Sequence, residues 1–198
     1  MDIVPQIPDL PDKHSVSVQF FAQRVFLGGG PQHRDAYALV MNFIRMTDLA
    51  SHEYAEGQKS SNEFWTTHDS LRISSAILST AHFEVCIDAV KRAINFLKAI
   101  RGNPNVPQSL KDLLPRGLKL LSGEVEGKIT DMRDAIQHLE ERIYKGEIGS
   151  DENFVLRGER DSLQLGSTAI TYTELVGWLV EAHDLATKMS SFRETPAA

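Results

Sequence analysis

The residues of this chain best placed to move protons beside a phosphate are Arg133, Asp134 and His138. They lie in the run Asp131-Met132-Arg133-Asp134-Ala135-Ile136-Gln137-His138-Leu139-Glu140-Glu141-Arg142. Ile129, Met132, Ile136, Leu139 and Ile143 recur at alternating intervals of three and four, which predicts a helix with one apolar seam. At about 100° per residue, His138 sits roughly 160° from Ile136, opposite that seam. Asp134, Glu141 and Lys145 share its outward side, and Arg133 lies on the flank. Asp134, one turn before His138, is close enough to hydrogen-bond the ring. Arg133 is displaced from the imidazole by about 140° and about 7.5 Å along the axis, so only its long side chain can swing toward a group held there. An imidazole exchanges protons near neutral pH and a guanidinium forks onto phosphoryl oxygens, so the pair suits proton transfer at a phosphodiester.

The elements that must position this helix are themselves mostly helical. Residues 1–13 carry Pro5, Pro8 and Pro11 and predict an extended N-terminal arm. Residues 16–27 mix strand-like and helix-like spacing, and the helical reading is the one adopted. Gly28-Gly29-Gly30 breaks it, and without a following Lys-Ser or Lys-Thr it is a breaker and no phosphate-binding loop. A helix is expected from residue 32 to about 55, ended by Gly57. Thr66 with Asp69 then offers an N-cap for a long helix to Ile100, stopped by Gly102 and Pro104.

That long helix has two apolar stripes, one through Ala81, Val85, Ala89, Ala93, Phe96 and Ile100, the other through Phe83, Ile87, Val90, Ile94 and Leu97. A helix apolar on both sides belongs between neighbours. Glu84, Asp88, Lys91, Asn95 and Lys98 fill the gap and read as a solvated, salt-linked edge. A short helix ends at Pro115, and the motif helix is expected from about Ser122 to Lys145. Short β-prone runs divided by glycines over residues 153–170 read as a hairpin or small meander. There Arg157, Arg160 and Asp161 around Gly158 form either a solvated turn or an edge that pairs with a partner. Thr171 with Glu174 makes a capping box for the last helix. The expectation is an all-α, up-and-down bundle of four to five main helices with a small β-hairpin insertion. It occupies residues 14–192, and 193–198 form a frayed tail.

Composition narrows the function classes. The chain has 198 residues, 41% of them apolar, and 21 Lys and Arg against 27 Asp and Glu for a formal charge of −6. That balance argues against non-specific binding to nucleic acid or anionic membranes. The longest uncharged stretches, 73–83 and 162–173, fall short of the roughly 20 apolar residues of a membrane span. Cys86, the single cysteine, excludes an internal disulfide and a Cys-rich zinc site. Seven histidines are present, but no Glu-x-x-His or His-Glu-x-x-His occurs, so neither metal nor cofactor is expected. Trp65 and Trp178 read as packing residues. The acidic, Pro-punctuated start Met1-Asp2-Ile3-Val4-Pro5 lacks the order of a secretory signal, and a cytoplasmic setting is expected.

Arg133-Asp134-Ala135-Ile136-Gln137-His138 resembles the motif of the HEPN superfamily of helical domains. Its ribonuclease members carry an Arg and, a few residues on, a His, commonly with a polar residue directly after the Arg. Asp134 takes that polar position here. A softer likeness runs through Ala81-His82-Phe83-Glu84-Val85-Cys86-Ile87-Asp88-Ala89-Val90-Lys91-Arg92-Ala93. The resemblance implies a homodimer that brings two motifs together and cleaves RNA without a metal. His138 would act as base toward a ribose 2′-hydroxyl, Arg133 would hold the developing charge, and Asp134 would position them. It also admits a non-catalytic, dimerising or partner-binding domain, with an antitoxin or regulatory protein as partner. The acidic residues Glu124, Glu126, Asp131, Glu140 and Glu141 on the motif helix oppose an RNA backbone. An unrelated helical bundle is the third reading.

Overall fold

The computed structural model describes residues 4–11, 14–67, 72–146 and 155–194. Among them the elements run α1 (Val16–Leu27), α2 (Arg34–Thr66), α3 (Arg72–Gly102), α4 (Gln108–Lys111), a 3₁₀ turn (Lys119–Leu121), α5 (Gly123–Gln137), α6 (Leu139–Lys145), β1 (Arg157–Gly158), β2 (Ser162–Leu165), β3 (Thr168–Thr171) and α7 (Tyr172–Ser190). This is an all-α bundle with a small antiparallel sheet, ordered β1-β2-β3, before the last helix.

A carboxylate supplied by α2 resolves the ambiguous segment before Gly28 as helix. Asp48 accepts from the backbone N–H groups of Val16 and Ser17 and from the Ser15 hydroxyl, satisfying donors that an α-helix leaves orphaned at its start. Val16 and Phe20 are buried, whereas Val18, Phe21, Val25 and Phe26 face outward. Gly28 ends α1 in the left-handed region, φ 64°, where glycine carries no Cβ penalty.

The long helices α2 and α3 lie antiparallel. Ser79 Oγ donates to the Gly57 carbonyl, His82 Nδ1 lies 2.7 Å from Glu53, and Asn105 beyond α3 reaches Asp35 at the start of α2. Gly57 does not end α2, which continues nine residues further to Thr66. A Cβ at Gly57 would stand 3.1 Å from the Phe83 ring, so this glycine allows α2 and α3 to approach there. The ring is held by Tyr54, edge-on at 5.8 Å, and Tyr172, tilted at 5.7 Å. Gly57→Ala is therefore expected to destabilise the fold by up to about 2 kcal/mol. Overpacking of about 1–3 kcal/mol outweighs the roughly 1 kcal/mol that alanine gains in a helix. A lower urea midpoint with unchanged slope is the measurement, and a raised midpoint would show that Phe83 yields. Thr66 lies at the end of α2 instead of capping α3, and Asp69 falls outside the described residues.

On α3 the stripe of Phe83, Ile87, Val90, Ile94 and Leu97 is buried throughout. The other is buried at Ala89, Ala93 and Ile100 but open at Ala81 and Val85. Ile73 and Ile77 extend this open face toward the start of the helix. By length and composition α3 is apolar enough to cross a bilayer, but its second half packs between α2 and α5 and carries Asp88, Lys91 and Lys98 in ion pairs.

The single helix expected over residues 122–145 is interrupted at His138, whose φ of −99° and ψ of 12° separate α5 from α6. The apolar seam explains where. Ile129 and Met132 are fully buried, Ile136 and Leu139 only partly, and Ile143 is exposed, so the force holding the helix to the core fades along it.

Both ends of the described chain are tied down. Ile7 and Leu10 pack on the core, and the carbonyls of Ile7 and Pro8 accept from Gln58 and Tyr54. After α7, Gly30 N–H donates to the Phe192 carbonyl, Gly30 bridges Arg193, and Glu194 accepts from Gln32 N–H. Fraying expected from residue 193 therefore does not hold for 193–194. The Thr171–Glu174 capping box forms as the spacing requires.

Candidate functional site

The motif helix begins at Ser122, whose hydroxyl accepts from Val125 N–H, with Glu124 and Glu126 in the first turn facing the positive end of the helix dipole. Its buried face, Val125, Ile129 and Met132, sets α5 against α3, the 3₁₀ turn and the small sheet. Polar residues along the α3–α5 seam then pair in antiparallel register. Lys98 and Lys91 both reach Glu126, Lys91 also donates to Thr130 at 2.8 Å, and Arg133 Nε donates to Asp88 Oδ1 at 2.9 Å. Hydrogen bonding from Lys98, reinforced by Lys91, holds the Glu126 carboxyl below its ordinary pKa against partial desolvation. The stripe read as a salt-linked edge is thus the face that orients the motif helix.

Arg133 is half-buried, 31% exposed, with Asp134 3.8 Å from its second nitrogen and Arg92 competing for Asp88 at 3.9 Å. Its partner is a residue of α3 that sequence spacing within the motif could not reveal. His138 is open, 62% exposed, as its register on the helix predicted. Its ring is 3.5 Å from Glu141, not paired with Asp134; Asp134 meets His138 only through its backbone carbonyl, which accepts the His138 N–H. Asp134 and His138 thus lie outward at the end of α5, with the imidazole presented at the break, while Arg133 is turned toward α3. No protein-family model, curated protein or solved structure matches this chain.

Extending the α3–α5 register by one turn carries Glu84 toward Gln137 and that break. Burial raises the Glu84 carboxyl above its ordinary pKa. A carboxyl whose folded pKa exceeds its unfolded one costs stability as pH rises from the ordinary value through the raised one. Glu84→Gln is expected to raise the thermal midpoint at neutral pH and to leave it unchanged well below the carboxylate range. A lower midpoint at neutral pH would mean that the charged form has a stabilising partner.

A second polar group was not visible in the sequence. His14, His52 and His183 are scattered over the chain, yet with Asp48 and Ser51 they line one cleft where α1, α2 and α7 meet. Their convergence follows from the helix packing and has no motif.

Proposed function

We propose that this chain is a HEPN-like, metal-independent endoribonuclease acting as a homodimer. The observation that carries the reading is the exposed imidazole of His138 at a helix break, five residues after a guanidinium oriented by Asp88 and Asp134. In this scheme His138 takes the proton of a ribose 2′-hydroxyl, and that oxygen attacks the adjacent phosphorus. The bond to the 5′-oxygen breaks, and the imidazole of the second copy returns a proton to it. Arg133 neutralises the charge gathering on the phosphoryl oxygens, and Asp134 positions the guanidinium. The products end in a 2′,3′-cyclic phosphate and a 5′-hydroxyl.

Purified protein incubated with mixed RNA in excess chelator tests this directly. Products with a cyclic phosphate end support it. Intact RNA, or products ending in 3′-hydroxyl and 5′-phosphate, overturn it.

The second reading, a non-catalytic HEPN-like domain that binds a second copy or a regulatory, antitoxin-type protein, is favoured by two specific features. Arg133 is already engaged by two carboxylates, and α6 buries none of its residues, leaving Ile143 and the 91%-exposed Tyr144 uncovered. A stable dimer or a captured protein partner, with RNA left intact, would establish this reading in place of the first.

A further inference from the structure

Helix α1 is apolar on the side that faces away from the protein. Val16 and Phe20 hold it to the core, while Val18, Phe21 and Val25, on the opposite side of the helix, are exposed. Its last turn ends on Leu27 and on Phe26, which is 78% exposed. The one charged side chain of α1, Arg24, turns back over the Tyr37 ring and donates to the Gly29 carbonyl, so the outer sector carries no charge. Five large apolar side chains bared on one short helix mark a contact surface.

The charge around the last turn of α1 says what covers it. Gly30 N–H donates to the Phe192 carbonyl, Asn105 reaches Asp35, Arg101 donates to the Pro115 carbonyl, and Glu181 accepts from the Lys119 and Leu120 N–H groups. These contacts gather residues 22–38, 98–119 and 181–194 at one end of the bundle. The three segments hold nine Lys and Arg against five Asp and Glu, leaving twelve against 22 for the rest of the chain. The total charge, which by itself opposes binding to an anionic membrane, thus conceals a basic end. Arg34, Arg116, Lys119, Lys188 and Arg193 are exposed there and meet no carboxylate among the described residues. Asp35, Asp112, Glu181 and Glu194 each already accept a hydrogen bond within the fold. Residues 195–198 bear no charged side chain, and Asp12 and Lys13 precede the other end of α1. The exposed carboxylates Asp131, Asp134, Glu140 and Glu141 lie toward the far end of α5, about 22 Å long, well beyond the roughly 8 Å screening length at physiological salt.

We propose that the outer face of α1 and this basic end together dock on a bilayer containing anionic lipid. Phe21, Val25, Phe26 and Leu27 enter the boundary between headgroups and acyl chains, and the unpaired cations meet the lipid phosphates and carboxylates. A nucleic-acid backbone would satisfy the cations but leave Phe26 and Leu27 in water. A second copy brought there by a two-fold axis would set like charges against each other. The helix face is also small for a protein partner: about 18 Å of helix exposes on the order of 500 Å², against roughly 800 Å² per partner in a standard complex. The contact stands apart from Arg133 and His138 and does not depend on RNA cleavage.

The test sediments the full chain with vesicles of phosphatidylcholine alone and with vesicles containing roughly one-third phosphatidylserine, at physiological salt. The expected result is binding to the second and not to the first. Phe26→Ser should weaken it at least about tenfold, as should Arg34→Glu combined with Lys188→Glu, while His138→Ala leaves it unchanged. All four side chains are exposed, and circular dichroism checks that each variant keeps its helices. No binding to either vesicle, equal binding to both, or binding that survives Phe26→Ser undiminished overturns the proposal. Capture of polyuridylate that is lost in the Arg34→Glu, Lys188→Glu variant, with both vesicles left unbound, assigns the basic end to nucleic acid instead.

Discussion

Under the ribonuclease reading, alanine at His138 should lower chelator-resistant RNA cleavage by about 10²–10⁴-fold, the usual worth of a positioned general base, while leaving the thermal midpoint within a degree or two of wild type. The two halves of that expectation have separate causes. His138 is 62% exposed and its one ionic neighbour among the described residues, Glu141, is itself on the surface, so removing the ring leaves no cavity and strands no buried charge. Arg133→Ala should abolish cleavage as well but also lower the midpoint, because it strips Asp88 of its partner across the α3–α5 seam. Arg133→Lys then separates the roles. A lysine can hold Asp88 as a point charge but cannot present a planar fork to a phosphate, so stability should return while cleavage stays low. Cleavage that survives His138→Ala undiminished would assign the nuclease to a contaminant.

Much of the fold was legible in the chain because its signals are local. The two apolar stripes of α3, the Thr171–Glu174 box and the seam of α5 each follow from spacing within one helix, and the register that turns His138 outward is of the same kind. The readings that failed depended on a neighbour. Gly57 looks like a stop until Phe83 is seen pressed against it, and the break at His138 looks like continuous helix until Ile143 is found with nothing to cover it. The partner of Arg133 was hidden for the same reason. Within the motif Asp134 is the nearest carboxylate, and only the antiparallel packing of α3 and α5 brings Asp88 to 2.9 Å.

The break has a further consequence for assembly. α5 follows α3 closely as far as Arg133, but α6 leaves that line and makes little contact with α3. Ile73, Ile77 and Val85 on α3 and Ile143 and Tyr144 on α6 are left bare. Apolar side chains of this size contribute about 1.5–3 kcal/mol each when fully buried, so a second copy that covered several of them would gain from the contact. If the proposed homodimer meets through this face, Ile77→Glu combined with Val85→Glu is expected to weaken it by at least about 100-fold, equivalent to roughly 2.8 kcal/mol. The readout is sedimentation equilibrium, with circular dichroism showing that the helices persist, since neither side chain belongs to the core. Under the ribonuclease reading, cleavage should fall with the dimer fraction and recover as protein concentration rises, because the proton for the leaving oxygen comes from the second copy. The control is Phe21→Glu on α1, which packs on α2 and α7 and presents a separate apolar face. Should that variant dissociate the dimer while the α3 variant does not, the copies meet away from His138, and a composite site between two motifs has no physical basis.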